Sequence, residues 1–96
     1  MPIHVIIIVT FMFFKENAFA KMIFLSSHGT KSHYNIPFED DLFLIFGKES
    51  KGLPKEITEK HPDQLYKIPL FNEHIRSLNL ANAVGIVAYE GIRQLG

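Results

Sequence analysis

The stretch Leu42-Phe43-Leu44-Ile45-Phe46-Gly47-Lys48-Glu49-Ser50-Lys51-Gly52-Leu53-Pro54 decides the fold. Its first five residues carry no polar side chain. Such a run predicts a strand covered on both faces, as in a parallel sheet. Gly47 ends the strand abruptly and opens a loop. Residues 54–60 then predict a short helix, with proline at a tolerated first-turn position. The same pattern recurs on either side. Met22–Leu25 predicts a strand that runs out at Ser26-Ser27-His28-Gly29, and residues 65–68 predict another that stops at Pro69. Leu80–Leu95 predicts the longest helix. Leu80, Ala83, Val84, Val87, Ala88, Gly91 and Leu95 share one face at helical spacing, Asn79 can cap the start, and Gly96 stands at the end. Strands interleaved with helices predict an α/β layer on a parallel sheet. Parallel sheets hold ligands at the carboxyl ends of their strands. The three loops SSHG, GKESKGLP and PLFNEHIRSLN leave such ends, and on neighbouring strands they would converge on one small-molecule crevice.

The amino terminus is read separately. Residues 1–14, MPIHVIIIVTFMFF, are nearly all apolar, but Lys15 and Glu16 cut the run short of the ~20 residues a membrane helix needs. MPIH lacks the basic start of a signal peptide, although Ala18-Phe19-Ala20 resembles a cleavage site. Residues 3–9, rich in β-branched side chains, predict a buried central strand. The alternative is that residues 1–14 are not native to the fold and follow a displaced start.

Composition sets further bounds. Ninety-six residues make one small domain, residues 1–96, with 47% hydrophobic and 21% charged residues. A chain this short buries only about 60–65% of its unfolded surface and gains from a partner. There is no cysteine, which excludes disulfides and thiolate chemistry. Ten basic residues balance ten acidic ones, so the overall basic signature of a self-sufficient nucleic-acid binder is absent. A local basic rim remains open, from Lys15, Lys21, His28, Lys31, Lys48, Lys51 and Lys55. The glycine loop is not a phosphate-binding loop, because Leu53-Pro54 follow its second glycine where Lys and Ser or Thr are needed. His28 and His33 fall in a predicted loop while His61 and His74 stand alone, so no metal site is expected. Neither a G-x-G-x-x-G fingerprint nor a nucleophile-elbow G-x-S-x-G is present.

Two motifs in order carry a resemblance. Phe46-Gly47-Lys48-Glu49-Ser50-Lys51-Gly52-Leu53-Pro54 resembles the F-G-x-E-x-x-G-L-P motif of the SPOUT (trefoil-knot) RNA methyltransferases. Ile68-Pro69-Leu70, followed by Arg76-Ser77-Leu78-Asn79-Leu80-Ala81-Asn82-Ala83-Val84, resembles their last motif. The tail Tyr89-Glu90-Gly91-Ile92-Arg93-Gln94-Leu95-Gly96 is most similar to the subgroup that methylates the 2′-hydroxyl of the wobble nucleotide, position 34, of tRNA. The resemblance covers roughly residues 15–96. Ala81 departs mildly from a position that is often Ser. The family's first motif, an Asn-x-Gly-x-x-x-Arg-type segment, has no counterpart, so the chain looks like the C-terminal half of such an enzyme.

The resemblance implies a parallel-sheet α/β-knot fold, N-terminally truncated, in which the C-terminal helix is knotted. It implies S-adenosyl-L-methionine as cofactor and the anticodon stem-loop of tRNA as substrate. A homodimer in the cytoplasm is implied as well. By motif position Leu25, Gly47, Ile68 and Ser77 would line the cofactor site, with Leu70, Leu78 and Asn79 close by and Glu49 organising the second loop. Arg76 and Tyr89 would position phosphate or the target ribose in the catalytic step. The alternative expectation is a non-catalytic remnant that keeps the cofactor-binding and dimerising half. Asn82, Ile86, Tyr89 and Arg93 lie opposite the core face of the last helix by 100° steps. That mixed stripe suits a subunit contact.

Overall fold

In a computed structural model, the described residues form one all-parallel sheet whose five strands lie in the order Ile3–Ile7, Leu42–Phe46, Met22–Leu25, Leu65–Lys67 and Lys31–Ser32. The structure describes residues 3–7, 21–27, 29–47, 53–69 and 79–96. The strands are β1 (Ile3–Ile7), β2 (Met22–Leu25), β3 (Lys31–Ser32), β4 (Leu42–Phe46) and β5 (Leu65–Lys67). Two helices follow the sequence prediction closely, α1 (Lys55–Lys60) and α2 (Leu80–Leu95). Single 3-10 turns occupy His33–Asn35 and Pro62–Gln64.

The strands read from composition take the middle of the sheet. β2 and β4 pair over four register positions, Met22 with Phe43 through Leu25 with Phe46. Alternation divides their side chains between two cores. Ile23, Leu25, Leu42, Leu44 and Phe46 join Ile36, Phe38, Tyr66 and Val87 on the face covered by α2. Met22, Phe24, Ile45 and Leu65 pack on the other face against Leu53 and Ile57, the latter from α1. The apolar run at 42–46 thus meets side chains on both faces.

Helix α2 forms where its periodicity says it should. The Asn79 side-chain oxygen accepts from the Ala81 N–H at 2.8 Å, and the Gly96 N–H reaches the Ile92 carbonyl at 2.7 Å. These bonds satisfy groups left open at the helix ends. Val87 is fully buried, and Leu80, Ala83, Val84 and Leu95 pack on the same core. Gly91 lets the helix come close: a Cβ there would stand 2.7 Å from Phe38 and 2.8 Å from Ile3.

Three readings need correction. The amino-terminal strand lies at a sheet edge rather than at its centre. Parallel to β4 over five register pairs, it packs its Ile3 end against Gly91 of α2 and leaves Val5 and Ile7 38% and 41% exposed. Pro54 is the N-cap of α1, one residue before the first turn. Finally, the predicted loop around His33 holds β3 and a 3-10 turn, whose backbone is organised by the Ser32 hydroxyl accepting from the Tyr34 N–H at 3.2 Å. Two residues of strand are too few for an alternation to be read. Among the described residues no helix is long and apolar enough to cross a membrane.

Candidate functional site at the strand ends

The central strands β4, β2 and β5 are neighbours and parallel, so their carboxyl ends face the same edge. Leu25 is level with Phe46 on one side and Tyr66 on the other. Ser26, Gly47 and Ile68 therefore leave the sheet close together, at one edge of it. Leu25 is buried and Ile68 half-buried within the same apolar cluster. Gly47 follows Phe46 directly and is half-buried, so a ligand here would meet backbone without an intervening side chain.

The first loop is fastened to β5. The Ser26 N–H donates to the Tyr66 carbonyl at 2.9 Å, extending the β2–β5 ladder by one bond. Gly29 then lies against the same segment. A Cβ there would stand 2.6 Å from the Tyr66 carbonyl carbon and 2.9 Å from the Lys67 nitrogen. Main chain on main chain leaves no room for any side chain at 29. In the sequence this glycine marks only a loop end; the contact depends on β5, which lies far along the chain.

Of the expected site residues, Leu25, Gly47 and Ile68 come together. Asn79 is at the head of α2, with its side chain engaged as a cap. Tyr89 stands apart: it is 73% exposed on the helix face turned away from the core, ten residues from Asn79, or about 15 Å along the axis. Glu49, Leu70, Arg76, Ser77 and Leu78 lie outside the described residues, as do Lys15, His28, Lys48, Lys51 and His74. Of the expected basic rim, Lys31 is level with Tyr66 in the sheet, donating to the Asp63 carbonyl at 2.9 Å. Lys21 precedes β2 on the opposite edge and pairs with Glu39 at 3.0 Å, so it is no part of that rim. Lys55 pairs with Glu59 at 3.7 Å.

A second, polar cluster goes beyond the sequence expectations. Glu90 is only 5% exposed on α2. Arg93 grips it with Nε at 2.9 Å and Nη2 at 2.7 Å, and Gln94 adds a bond of 2.7 Å. These bonds hold its carboxyl down at about 2. Nearby His33 is buried, and burial lowers its pKa, opposed by the Glu90 charge and a hydrogen bond to the Lys67 backbone. An open groove of about 730 Å³ runs over this cluster, bordered by Tyr34, Asn82, Gly85, Ile86, Tyr89 and Arg93. The expected outward stripe of α2 forms its wall. Helical periodicity marks Glu90 as a position near the core, and that is the available signal. For His33, expected as a loop residue, there is none.

Known proteins share this arrangement of strands. The SpoU rRNA methylase family description matches residues 6–89. The chain belongs to this family. A tRNA (cytidine(34)-2′-O)-methyltransferase from Saccharophagus degradans is 40% identical over 85 residues, covering 88% of this chain and 54% of that relative. Among solved structures, one described as giving insight into 2-OH methylation of C/U34 on tRNA superposes with a TM-score of 0.78. It is 40% identical, over 86% of this chain and 53% of its own. An rRNA methyltransferase from Sinorhizobium meliloti with AdoMet bound is 29% identical, with a TM-score of 0.71 over 90% of this chain and 33% of its own. This SpoU member spans about half the length of the curated relatives it matches.

Proposed function

We propose that this chain is the cofactor-holding portion of an S-adenosyl-L-methionine-dependent methyltransferase acting on the 2′-oxygen of the wobble nucleotide of tRNA. The observation that carries the reading is the adjacency of three parallel strand ends in a chain of the SpoU family. Leu25 and Ile68 form apolar walls for the adenosyl group, and Gly47 gives it open backbone. The described part of the crevice fits the cofactor in that respect: apolar side chains and peptide groups, with no described charge among Leu25, Gly47 and Ile68. The roles of Ser77, Leu70, Leu78, Glu49 and Arg76 rest on the motif resemblance.

The bound cofactor supplies an electrophilic methyl group on a cationic sulfonium. Its transfer to the ribose forms an O–C bond, breaks the S–C bond and releases the hydroxyl proton. A hydroxyl is a weak nucleophile, so that proton must be accepted as the bond forms. Arg76 is the positioning residue for a phosphate, through a forked charge-assisted contact. Tyr89, turned away from the crevice of its own chain, serves instead across a subunit contact, with the α2 groove as the dimer surface. The knotted path of the C-terminal segment and a cytoplasmic location belong to the same reading.

The alternative reading is a chain that binds cofactor without turnover. A single pair of assays separates the two. Cofactor binding that Gly47→Val abolishes supports both, and undiminished binding by that variant counts against both. Transfer of labelled methyl groups to tRNA then selects the enzyme; binding without transfer selects the alternative.

A further inference from the structure

The groove over α2 has two ends of different chemistry. At one end Ala81, Gly85 and Ile86 offer small or apolar side chains, and a Cβ at Gly85 would meet nothing within 4 Å. Seven residues beyond Ile86, or about 10 Å along the axis, Arg93 borders the same groove together with Tyr34 and Tyr89. Arg93 is the one solvent-facing charge among the described residues of the groove. Its side chain is 67% exposed, whereas Glu90 and His33 are buried. The guanidinium is held side-on: Nε donates to Glu90 Oε1 at 2.9 Å and Nη2 to Oε2 at 2.7 Å, a fork that fixes its plane. Nη1 has no partner among the described residues, so an acceptor entering the groove meets a pre-oriented donor edge.

Two aromatic faces flank this cation, with Tyr34 62% and Tyr89 73% exposed. The Gln94 amide, which bonds Glu90 at 2.7 Å, also donates to the Tyr34 carbonyl at 3.3 Å and so ties residue 34 to the last turn of α2. β3 ends at Ser32, level with Lys67, so the turn His33–Asn35 leaves the sheet at its carboxyl edge, the edge from which Ser26, Gly47 and Ile68 depart. An exposed cation beside exposed rings suits a ligand that is anionic and flat within one unit. An unpaired nucleotide is such a unit: its phosphate takes forked contacts from arginine and its base stacks on tyrosine. An acidic peptide uses the cation and leaves the rings idle. We propose that the Tyr34–Arg93 end of the groove is a subsite for one unpaired nucleotide of the RNA substrate, with the phosphate on Arg93 and the base on Tyr34. Glu90 is the positioning residue that aims the guanidinium. The proposal deepens the proposed function, rests on its RNA substrate, and leaves the Ile86 end of the groove to the subunit contact.

Binding of a fluorescent single-stranded oligouridylate, read by anisotropy over a range of salt, tests it. Wild type should bind saturably. Tyr34→Leu, which keeps the backbone bonds of residue 34 to Ser32 and Gln94, should weaken binding about tenfold, with Tyr34→Phe within about twofold of wild type because the ring remains. Arg93→Gln should weaken it by a similar factor and flatten the slope of log affinity against log salt by about 0.7, the loss of one phosphate contact. Unchanged affinity in either Tyr34→Leu or Arg93→Gln overturns the proposal, as do equal losses in the two Tyr34 variants, a wild type that binds no RNA, or an oligoglutamate that competes as well as the RNA. A fall in mass for Tyr34→Leu at unchanged RNA affinity gives this end of the groove to a second copy and overturns it too. Should Arg93→Gln not fold once buried Glu90 loses its partner, the Tyr34 pair decides. S-adenosylmethionine binding is followed in parallel. A wild type that binds RNA but no cofactor fails the proposed function, while the variants still decide on the subsite.

Discussion

At the level of single residues, Gly29 is held against the main chain of another strand. Its absent side chain is what lets the first loop rest on the Tyr66–Lys67 peptide, and backbone atoms cannot rotate aside as a side-chain tip can. Gly29→Ala should therefore destabilise the chain by about 1–3 kcal/mol, as other overpacked sites do, and chemical denaturation would measure it. Glu90 and His33 set the response to acid. The Glu90 carboxyl is lowered to about 2 from its ordinary 4.5, so between these values the folded chain binds fewer protons than the unfolded one. The stability it contributes is present above pH 4.5 and lost as pH falls towards 2. His33, lowered from 6.5 by burial, also loses stability on acidification, beginning as pH falls through 6.5. Glu90→Gln should thus melt below wild type at pH 7, and the gap should narrow below pH 4.5. A gap independent of pH would contradict the assignment. The two residues are not legible as a pair in the sequence, because the chain separates them by more than fifty positions and only the sheet brings them together.

Among the elements, the legible ones have a repeating physical signal. LFLIF has no polar residue, and α2 has seven residues on one face with a cap at each end; both elements have the bounds expected of them. β3 escapes a sequence reading because two residues have no period. β1 is expected at the centre but lies at the edge, because β-branching reports burial and not which neighbours a strand receives. Two glycines of α2 predict opposite outcomes. A Cβ at Gly85 would meet nothing within 4 Å, so Gly85→Ala should gain about 1 kcal/mol of helix propensity. In a chain of this size that is a rise in Tm of about 4–8 °C. Gly91→Ala gains the same propensity but drives a methyl into Phe38 and Ile3, so its net change should be a loss. Thermal melts of the two variants check both signs.

For the whole molecule, the adjacency of the strand ends is legible because parallel topology follows from composition. The groove over α2 is legible only as an outward stripe; its polar floor is not. Ile86 is 39% and Tyr89 73% exposed there. A homodimer through this face predicts a mass near twice 11.0 kDa by light scattering. Ile86→Asp should halve it, and a wild-type monomer at every concentration would rule that dimer out.

The proposed function depends on one pocket, assembled from the exits of β2, β4 and β5, that would receive a methyl donor. An amide NMR titration with S-adenosylmethionine probes it residue by residue. Saturable shifts centred on Ser26, Gly47 and Ile68 are expected, and they should be absent in Gly47→Val. Shifts centred instead on Ile86 and Tyr89, or no shifts at all, would contradict the pocket.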